Sequence, residues 1–316
     1  MSASAGPVLA LSGGIGGAKL ALGLYRVLPP DTLTIVANPG DDFEHLGLAI
    51  SPDLDTLLYT LSGQDNPELG WGRKGETWTF MAALEALGGE SWFRLGDGDL
   101  ATHVERTRRL HAGEHLSGVI DDFRRRLGIR ARLLPASDDP VRTRLRTDRG
   151  WLDFQPYFVG LHCEPVVAEI VFAGADAAQP QPEFLAALAD PALCAVVICP
   201  SNPFISIDPI LAVPGVRAAL RDCVAPVVAV SPIIGGRAVK GPTAKMMAEL
   251  GLPVDAAAVA RHYGDIIDVY VADEADAAGV GGLDMPVVLA RTLMVSLVVR
   301  AALARTVLAA ADRARK

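Results

Sequence analysis

Cysteine is scarce in this chain: four in 316 residues, at positions 163, 194, 199 and 223, with no pair at CxxC spacing. That argues against a disulfide framework and a thiolate zinc site, and fits reduced, buried thiols in a cytoplasmic protein. Basic charge is in deficit as well. Lys and Arg number 29 against 37 Asp and Glu, a formal net charge of −8. Such a balance disfavours nonspecific binding to nucleic acid or to an anionic membrane, though not a small anion held in a local pocket. No uncharged apolar run approaches the roughly 18–20 residues of a membrane span. The most apolar stretch, 285–304, is interrupted by Arg291 and Arg300. The N-terminal MSASAGPVLALSGG has no basic residue ahead of its apolar run and no clear cleavage site, so no signal peptide is expected.

What the chain does have is a globular composition, 50% hydrophobic and 21% charged, over a length that allows one large or two small domains. Short runs rich in Val and Ile at 8–11, 33–37, 195–199, 227–230, 269–272 and 287–290 read as strands. Helical patterns alternate with them, at 19–27, 52–61, 76–87, 102–112, 117–127, 214–222, 243–250 and 291–310. Continuously apolar strands between helices predict a Rossmann-like, doubly wound α/β fold with a mainly parallel sheet. Residues 65–158 break the rhythm, being more charged, with helices first and then a β-hairpin over 141–147 and 151–155. The expected organisation is therefore a core of residues 1–64 and 159–316 with an insertion, 65–158.

Ligands of an open parallel sheet bind outside the carboxyl ends of its strands. Four of the expected strands here end in loops of small, polar or acidic residues. The first loop is Ser12-Gly13-Gly14-Ile15-Gly16-Gly17-Ala18-Lys19, neither a strict GxGxxG nor a Walker A sequence. Its glycines admit a ligand to the backbone, the following helix offers unpaired N–H groups, and Lys19 adds charge. A phosphate site is expected in preference to a bare turn. Asn38-Pro39-Gly40-Asp41-Asp42 and Ser51-Pro52-Asp53-Leu54-Asp55 then place four carboxylates within fifteen residues. Oxygen-only ligands suit Mg²⁺, expected on Asp41, Asp42 and Asp55. Asp53 reads as a helix-start residue behind Ser51 and Pro52.

Pro200-Ser201-Asn202-Pro203 and Ser231-Pro232-Ile233-Ile234-Gly235-Gly236, continuing to Lys240, supply groups for phosphate, sugar or base, or simply make βα turns. In the insertion, Arg94 is a candidate substrate contact, Asp97 and Asp99 are turn or cap residues, and His45 and His103 are more readily packed than catalytic. Trp71 and Trp78 either line a pocket for a planar ligand or are core aromatics. No Ser–His–Asp arrangement or zinc spacing is evident.

Taken in order, SGGIGGAKL, NPGDD, SPDLDT, GWG, LGDGDLATH, LLPASDDPV, PSNPFISIDPIL and SPIIGGRAVKGP closely resemble the motifs of the CofD family of 2-phospho-L-lactate transferases. The resemblance runs from about residue 11 to residue 241. It implies a Mg²⁺-dependent, usually homodimeric enzyme of coenzyme F(420) biosynthesis. The acceptor would be the deazariboflavin Fo. The donor would be a guanylylated lactyl, enolpyruvyl or glyceryl phospho-acid, and GMP the leaving group. By resemblance, Asp55 and Arg94 contact the deazaflavin, with the insertion contributing to that acceptor site. Asp41 and Asp55 are metal-binding or catalytic carboxylates. Gly13, Gly14, Gly16, Gly17, Lys19, Asn38, Ser201, Asn202, Ser231 and Gly235 surround the rest of the substrates. Gly98 departs from the family, which often carries a basic residue there. The alternatives are a nucleotide-sugar-binding regulator on the same fold and, more weakly, a nicotinamide-dependent dehydrogenase.

Overall fold

Short β-branched and aliphatic runs build the centre of the protein. The computed structural model describes residues 6–66, 71–239 and 241–315. Seven strands form one sheet: β1 (Val8–Ser12), β2 (Leu33–Ala37), β3 (Arg132–Pro135), β4 (Ala195–Ile198), β5 (Val227–Val230), β6 (Val269–Asp273) and β7 (Val287–Ala290). Their order is β3-β2-β1-β4-β5-β6-β7, and every neighbouring pair is parallel. This is the expected doubly wound arrangement, with the strand order reversing between β1 and β4.

Alternation along each strand divides the interior in two. Leu9, Leu11, Val196 and Ile198 join one core, and Val8, Ala10, Ala195 and Val197 the other. Helices α1 (Gly14–Val27), α2 (Pro52–Ser62) and α6 (Leu297–Ala314) cover the second face through Leu20, Leu24, Leu57, Leu303 and Val307. The first face is covered by Phe184, Leu220, Met246 and Tyr263 from four short helices. Where α1 meets α6, Gly23 is in close contact. A Cβ there would lie 2.3 Å from the Arg300 carbonyl oxygen.

Along the chain after α2 come α3 (Thr79–Ala86), α4 (Asp97–His111) and α5 (Leu116–Arg126). A small third core of Ile50, Met81 and Leu95 joins α3 and α4 to the hairpin Phe43–His45/Leu48–Ile50, whereas Ile120 of α5 belongs to the core of the second face.

The structure departs from the sequence reading at three places. Residues 65–158 are not one insertion, because β3 within them is an edge strand of the central sheet, paired with β2. Its sequence RLLP is short and starts on a charge, as an edge strand with one free side permits. The hairpin gains a third strand, Val167–Ala173, beside Arg142–Thr147 and Gly150–Asp153. Three helices also begin elsewhere, α1 at Gly14 rather than at residue 19. α4 starts at Asp97, since Glu76 accepts from the Gly98 N–H at 2.7 Å and caps it from outside; the Asp97 carboxylate in turn caps the start of α3, accepting from the Thr77 hydroxyl and the Thr79 and Phe80 N–H groups. α6 starts only at Leu297, behind the Ser296 cap. Thr292 is held outside the helix by its N–H and hydroxyl, which donate to Asp273 at 2.8 and 2.9 Å.

Candidate active site

The loops that leave the carboxyl ends of the strands converge on one cavity of about 620 Å³. Gly13, Gly14, Gly16 and Lys19 line it from the turn after β1, Ser201 and Asn202 from that after β4, and Ser231 from that after β5. Asp41, Asp55 and Arg94 complete the expected residues on its wall. The two sides of the strand-order reversal are tied together, the Gly13 N–H donating to Ser201 Oγ at 3.1 Å. Gly16 packs against the next loop so closely that a Cβ would stand 2.4 Å from the Pro200 carbonyl oxygen. Gly14 has φ +64°, a left-handed conformation that favours glycine, with open space beside it.

Four expected contacts serve the framework instead. Gly17 lies under the loop, where a Cβ would meet Ser12 Oγ at 2.5 Å and Ser201 Oγ at 2.7 Å. Gly235 is on the exposed Ile233–Ala238 turn, and its N–H donates to Asp276. Asp42 turns away from the cavity and accepts from Ser51 Oγ at 3.0 Å. Burial pushes its carboxyl up to about 7. Asn38 is fully buried, and every polar atom of its side chain is used by the protein. Its Nδ2 donates to Asp41 Oδ1 (2.8 Å), Asp53 Oδ2 (2.9 Å) and the Ile205 carbonyl (3.0 Å), and its Oδ1 accepts from the Gly40 N–H. Lys240, in the fourth loop, and Gly70, in the GWG motif, lie outside the described residues.

Asn38 thereby assembles an acid pair that the sequence reading divided differently. Asp53, read as a helix-start residue, is on the cavity wall and almost completely buried. Its Oδ1 accepts from the Gly14 N–H at 2.5 Å, so it meets the first turn of α1. Burial, with the Asp55 charge adding to it, raises Asp53 to about 6 against the Gly14 and Asn38 hydrogen bonds; burial and the Asp53 charge hold Asp41 well above the ordinary carboxylate range. No ion pair among the described residues neutralises either.

Asp55, the other expected metal ligand, is committed elsewhere. Both of its oxygens face Arg106, which is fully buried on α4 and donates from Nη1 to Asp55 Oδ2 at 3.1 Å and from Nη2 to Oδ1. The expected trio of Asp41, Asp42 and Asp55 is therefore not gathered. No group of three or more His, Cys, Asp or Glu suited to a metal exists among the described residues. His103 lies between Asp55 (3.7 Å from Nδ1) and Asp99 (3.3 Å from Nε2), and the Tyr59 hydroxyl donates to Asp99 at 2.5 Å. Burial pushes Asp99 up, but the His103 ring and the Tyr59 hydroxyl outweigh it and hold the carboxyl below its ordinary value. Arg106 escaped the sequence reading. The signal was there in Asp99, His103 and Arg106, spaced four and three residues apart on one face of α4.

The opposite wall is aromatic. Trp71, Trp92, Phe93, Phe154 and Phe158 all line the cavity. The rings of Phe154 and Phe158 stack at 5.3 Å. The Arg94 guanidinium lies 4.2 Å over the ring of Trp78, which stands behind Trp71. His45 packs edge-on against Trp92 and Phe93, a structural role. Residues Thr292, Leu293 and Met294, ahead of α6, line the cavity as well. Aromatic faces, a stacked guanidinium and a glycine-lined helix start suit a ligand with a planar ring and an anionic group.

Comparison with known proteins places the chain in a family. Residues 8–280 match the family model described as 2-phospho-L-lactate transferase CofD. The phosphoenolpyruvate transferase of Kitasatospora aureofaciens is 43% identical over 98% of both chains. That of Streptomyces coelicolor is 40% identical over 98% of this chain and 99% of its own. That of Mycobacterium tuberculosis is 40% identical over 87% and 90%. Among solved structures, a UPF0052 family protein from Bacillus halodurans superposes with a TM-score of 0.64 at 17% identity, covering 96% of this chain and 98% of that one, a likeness of fold. No single helix among the described residues is long and apolar enough to cross a membrane.

Proposed function

Because the chain belongs to the CofD family, we propose that it is a transferase of coenzyme F(420) biosynthesis, moving a phospho-acid group from a guanosine diphosphate donor to the deazaflavin Fo. The name of its relatives favours phosphoenolpyruvate as the acid moiety. The terminal ribityl hydroxyl of Fo attacks the phosphorus that carries the acid. The bond from that phosphorus to the GMP oxygen breaks, and the hydroxyl proton leaves to a carboxylate of the wall or to water. One observation carries the reading: a single cavity joins the glycine-lined start of α1 to an aromatic wall with a stacked arginine.

The residues divide the work. The turn after β1, Lys19, Ser201 and Asn202 hold the diphosphate, whose transfer depends chiefly on positioning and charge neutralisation. The aromatic wall and Arg94 hold the deazaflavin ring. Asp55, bound to Arg106, fixes α2 against α4 and positions this wall.

The donor set fits Mg²⁺, though not on the trio expected from sequence. Asp41 and Asp53 are two carboxylates without a cationic partner among the described residues, beside the phosphate position. Mg²⁺ commonly takes one or two carboxylates and completes its shell with substrate phosphate and water. Bound there, it offsets charge on the diphosphate oxygens.

The test is a product assay by mass spectrometry. Protein is mixed with Fo, Mg²⁺ and, separately, the lactyl, enolpyruvyl and glyceryl guanosine diphosphate donors. A phospho-acid adduct of Fo together with GMP, abolished by EDTA, is expected with the enolpyruvyl donor. No adduct with any donor from folded protein overturns the reading in favour of nucleotide binding without transfer. A homodimer, proposed from the family, is checked by sedimentation velocity.

A further inference from the structure

The acid pair is in an unexpected position for a site that binds a diphosphate. A helix start with its unpaired N–H groups is where a phosphate oxygen is best received. Here that position is already occupied by an anion from within the chain. Asp53 Oδ1 accepts from the Gly14 N–H at 2.5 Å, while its Oδ2 is held by Asn38 at 2.9 Å. Gly14 has no side chain to shield the spot, and Asp53 reaches it from the first turn of α2. A phosphate oxygen and the Asp53 carboxylate therefore need the same donor, and their like charges repel at close range.

We propose that Asp53 is an internal competitor for the donor's diphosphate, so that the diphosphate gains the start of α1 only together with a divalent cation that takes over the Asp53 carboxylate. The inference rests on the functional reading above and adds a specificity to it. The protein selects the metal-complexed diphosphate and rejects the free anion. Asp41 supplies the internal contrast. It shares Asn38 with Asp53 but, among the described residues, accepts no hydrogen bond from the glycine turn. Removing Asp41 weakens the cation site without vacating the helix start, whereas removing Asp53 does both.

Calorimetric titration with GDP, in excess Mg²⁺ and in excess EDTA, separates the two roles without turnover. Wild-type protein is expected to bind GDP at least about tenfold more tightly with Mg²⁺ than with EDTA. Asp53→Asn and Asp53→Ala are expected to bind GDP in EDTA about tenfold or more tightly than wild type does in EDTA. Asp41→Asn is expected to lose the Mg²⁺ enhancement while its affinity in EDTA stays within about twofold of wild type. Thermal melts confirm that each variant is folded, and either Asp53 variant suffices. The inference is overturned if folded Asp53 variants bind GDP in EDTA no better than wild type, or if Asp41→Asn gains as much as they do. Equal wild-type affinity in Mg²⁺ and EDTA also overturns it, leaving the functional reading standing. Wild-type protein that binds GDP in neither condition brings down the guanosine diphosphate reading itself.

Discussion

Replacing Arg106 with methionine removes a fully buried guanidinium while keeping most of its volume. In the structure Arg106 offers both terminal nitrogens to Asp55 and also donates to the Ala49 carbonyl at 3.2 Å. Burial opposes its charge, but Asp55 outweighs that and holds the guanidinium more firmly protonated than usual. Breaking such a pair strands a largely buried carboxylate without its counter-charge, at a cost of about 3–5 kcal/mol. With about 2.1 cal/mol/K of unfolding entropy per residue, a chain of 316 residues loses about 4–8 °C in Tm. Asp55→Asn should cost a similar amount by stranding the guanidinium. The double variant, Asp55→Asn with Arg106→Met, should recover at least about 2 kcal/mol of the sum, because no unpaired charge remains. Urea melts followed by fluorescence and by circular dichroism give these values where the two transitions coincide. Single variants within about 1 kcal/mol of wild type, or strict additivity, would refute the argument. So would a tenfold loss of Mg²⁺ affinity in folded Asp55→Asn, which would make Asp55 a ligand after all.

Three further outcomes follow from the geometry. Asp41→Asn should raise the Mg²⁺ concentration for half-maximal transfer by about tenfold or more while leaving Tm unchanged or higher, since it removes one of two unneutralised carboxylates; an unchanged Mg²⁺ midpoint counts against the metal assignment. Asp42, at about 7 in the fold against about 3.9 when unfolded, binds its proton more tightly in the native state, so its contribution is present at acid pH and is lost as pH rises from about 4 through 7. Asp42→Asn escapes that loss, and in EDTA its stability relative to wild type should grow by up to about 4 kcal/mol between pH 4 and pH 8; a pH-independent difference in urea melts refutes it. Gly23→Ala should destabilise by about 1–3 kcal/mol despite alanine's better helix propensity, because its Cβ would press on the Arg300 carbonyl; a melt equal to or above wild type shows that α1 and α6 yield.

Much of the fold could be read in advance because its strands are continuously apolar. Buried on both faces, they contrast with the helices between them, and within the central sheet β3 alone has no such signal. Its RLLP sequence has four residues and follows a basic helix, so pattern alone could not separate it from the surrounding loop. The loops at the strand ends lead to the cavity, since strand ends are where an open sheet leaves room. The carboxylates were harder. Position in a helix made Asp53 look like a dipole-complementing cap, and it does meet a helix start, but that of α1 rather than of its own helix. Asp55 looked free because its partner Arg106 lies 51 residues away. The aromatic wall is drawn from separate segments of chain, and nothing in the local pattern of Trp92 or Phe154 shows that they share a surface.

Asn38 holds Asp41, Asp53 and the Ile205 carbonyl with a single amide. Were that amide hydrolysed to a carboxylate, its donors would vanish and a third negative charge would face the other two. Asparagine normally ages by cyclising onto the nitrogen of the next residue, which must carry a hydrogen. The next residue here is Pro39, whose nitrogen carries none. The residue on which the acid pair depends is thereby closed to the usual route of spontaneous deamidation, and the site should outlast prolonged storage or a long cellular lifetime.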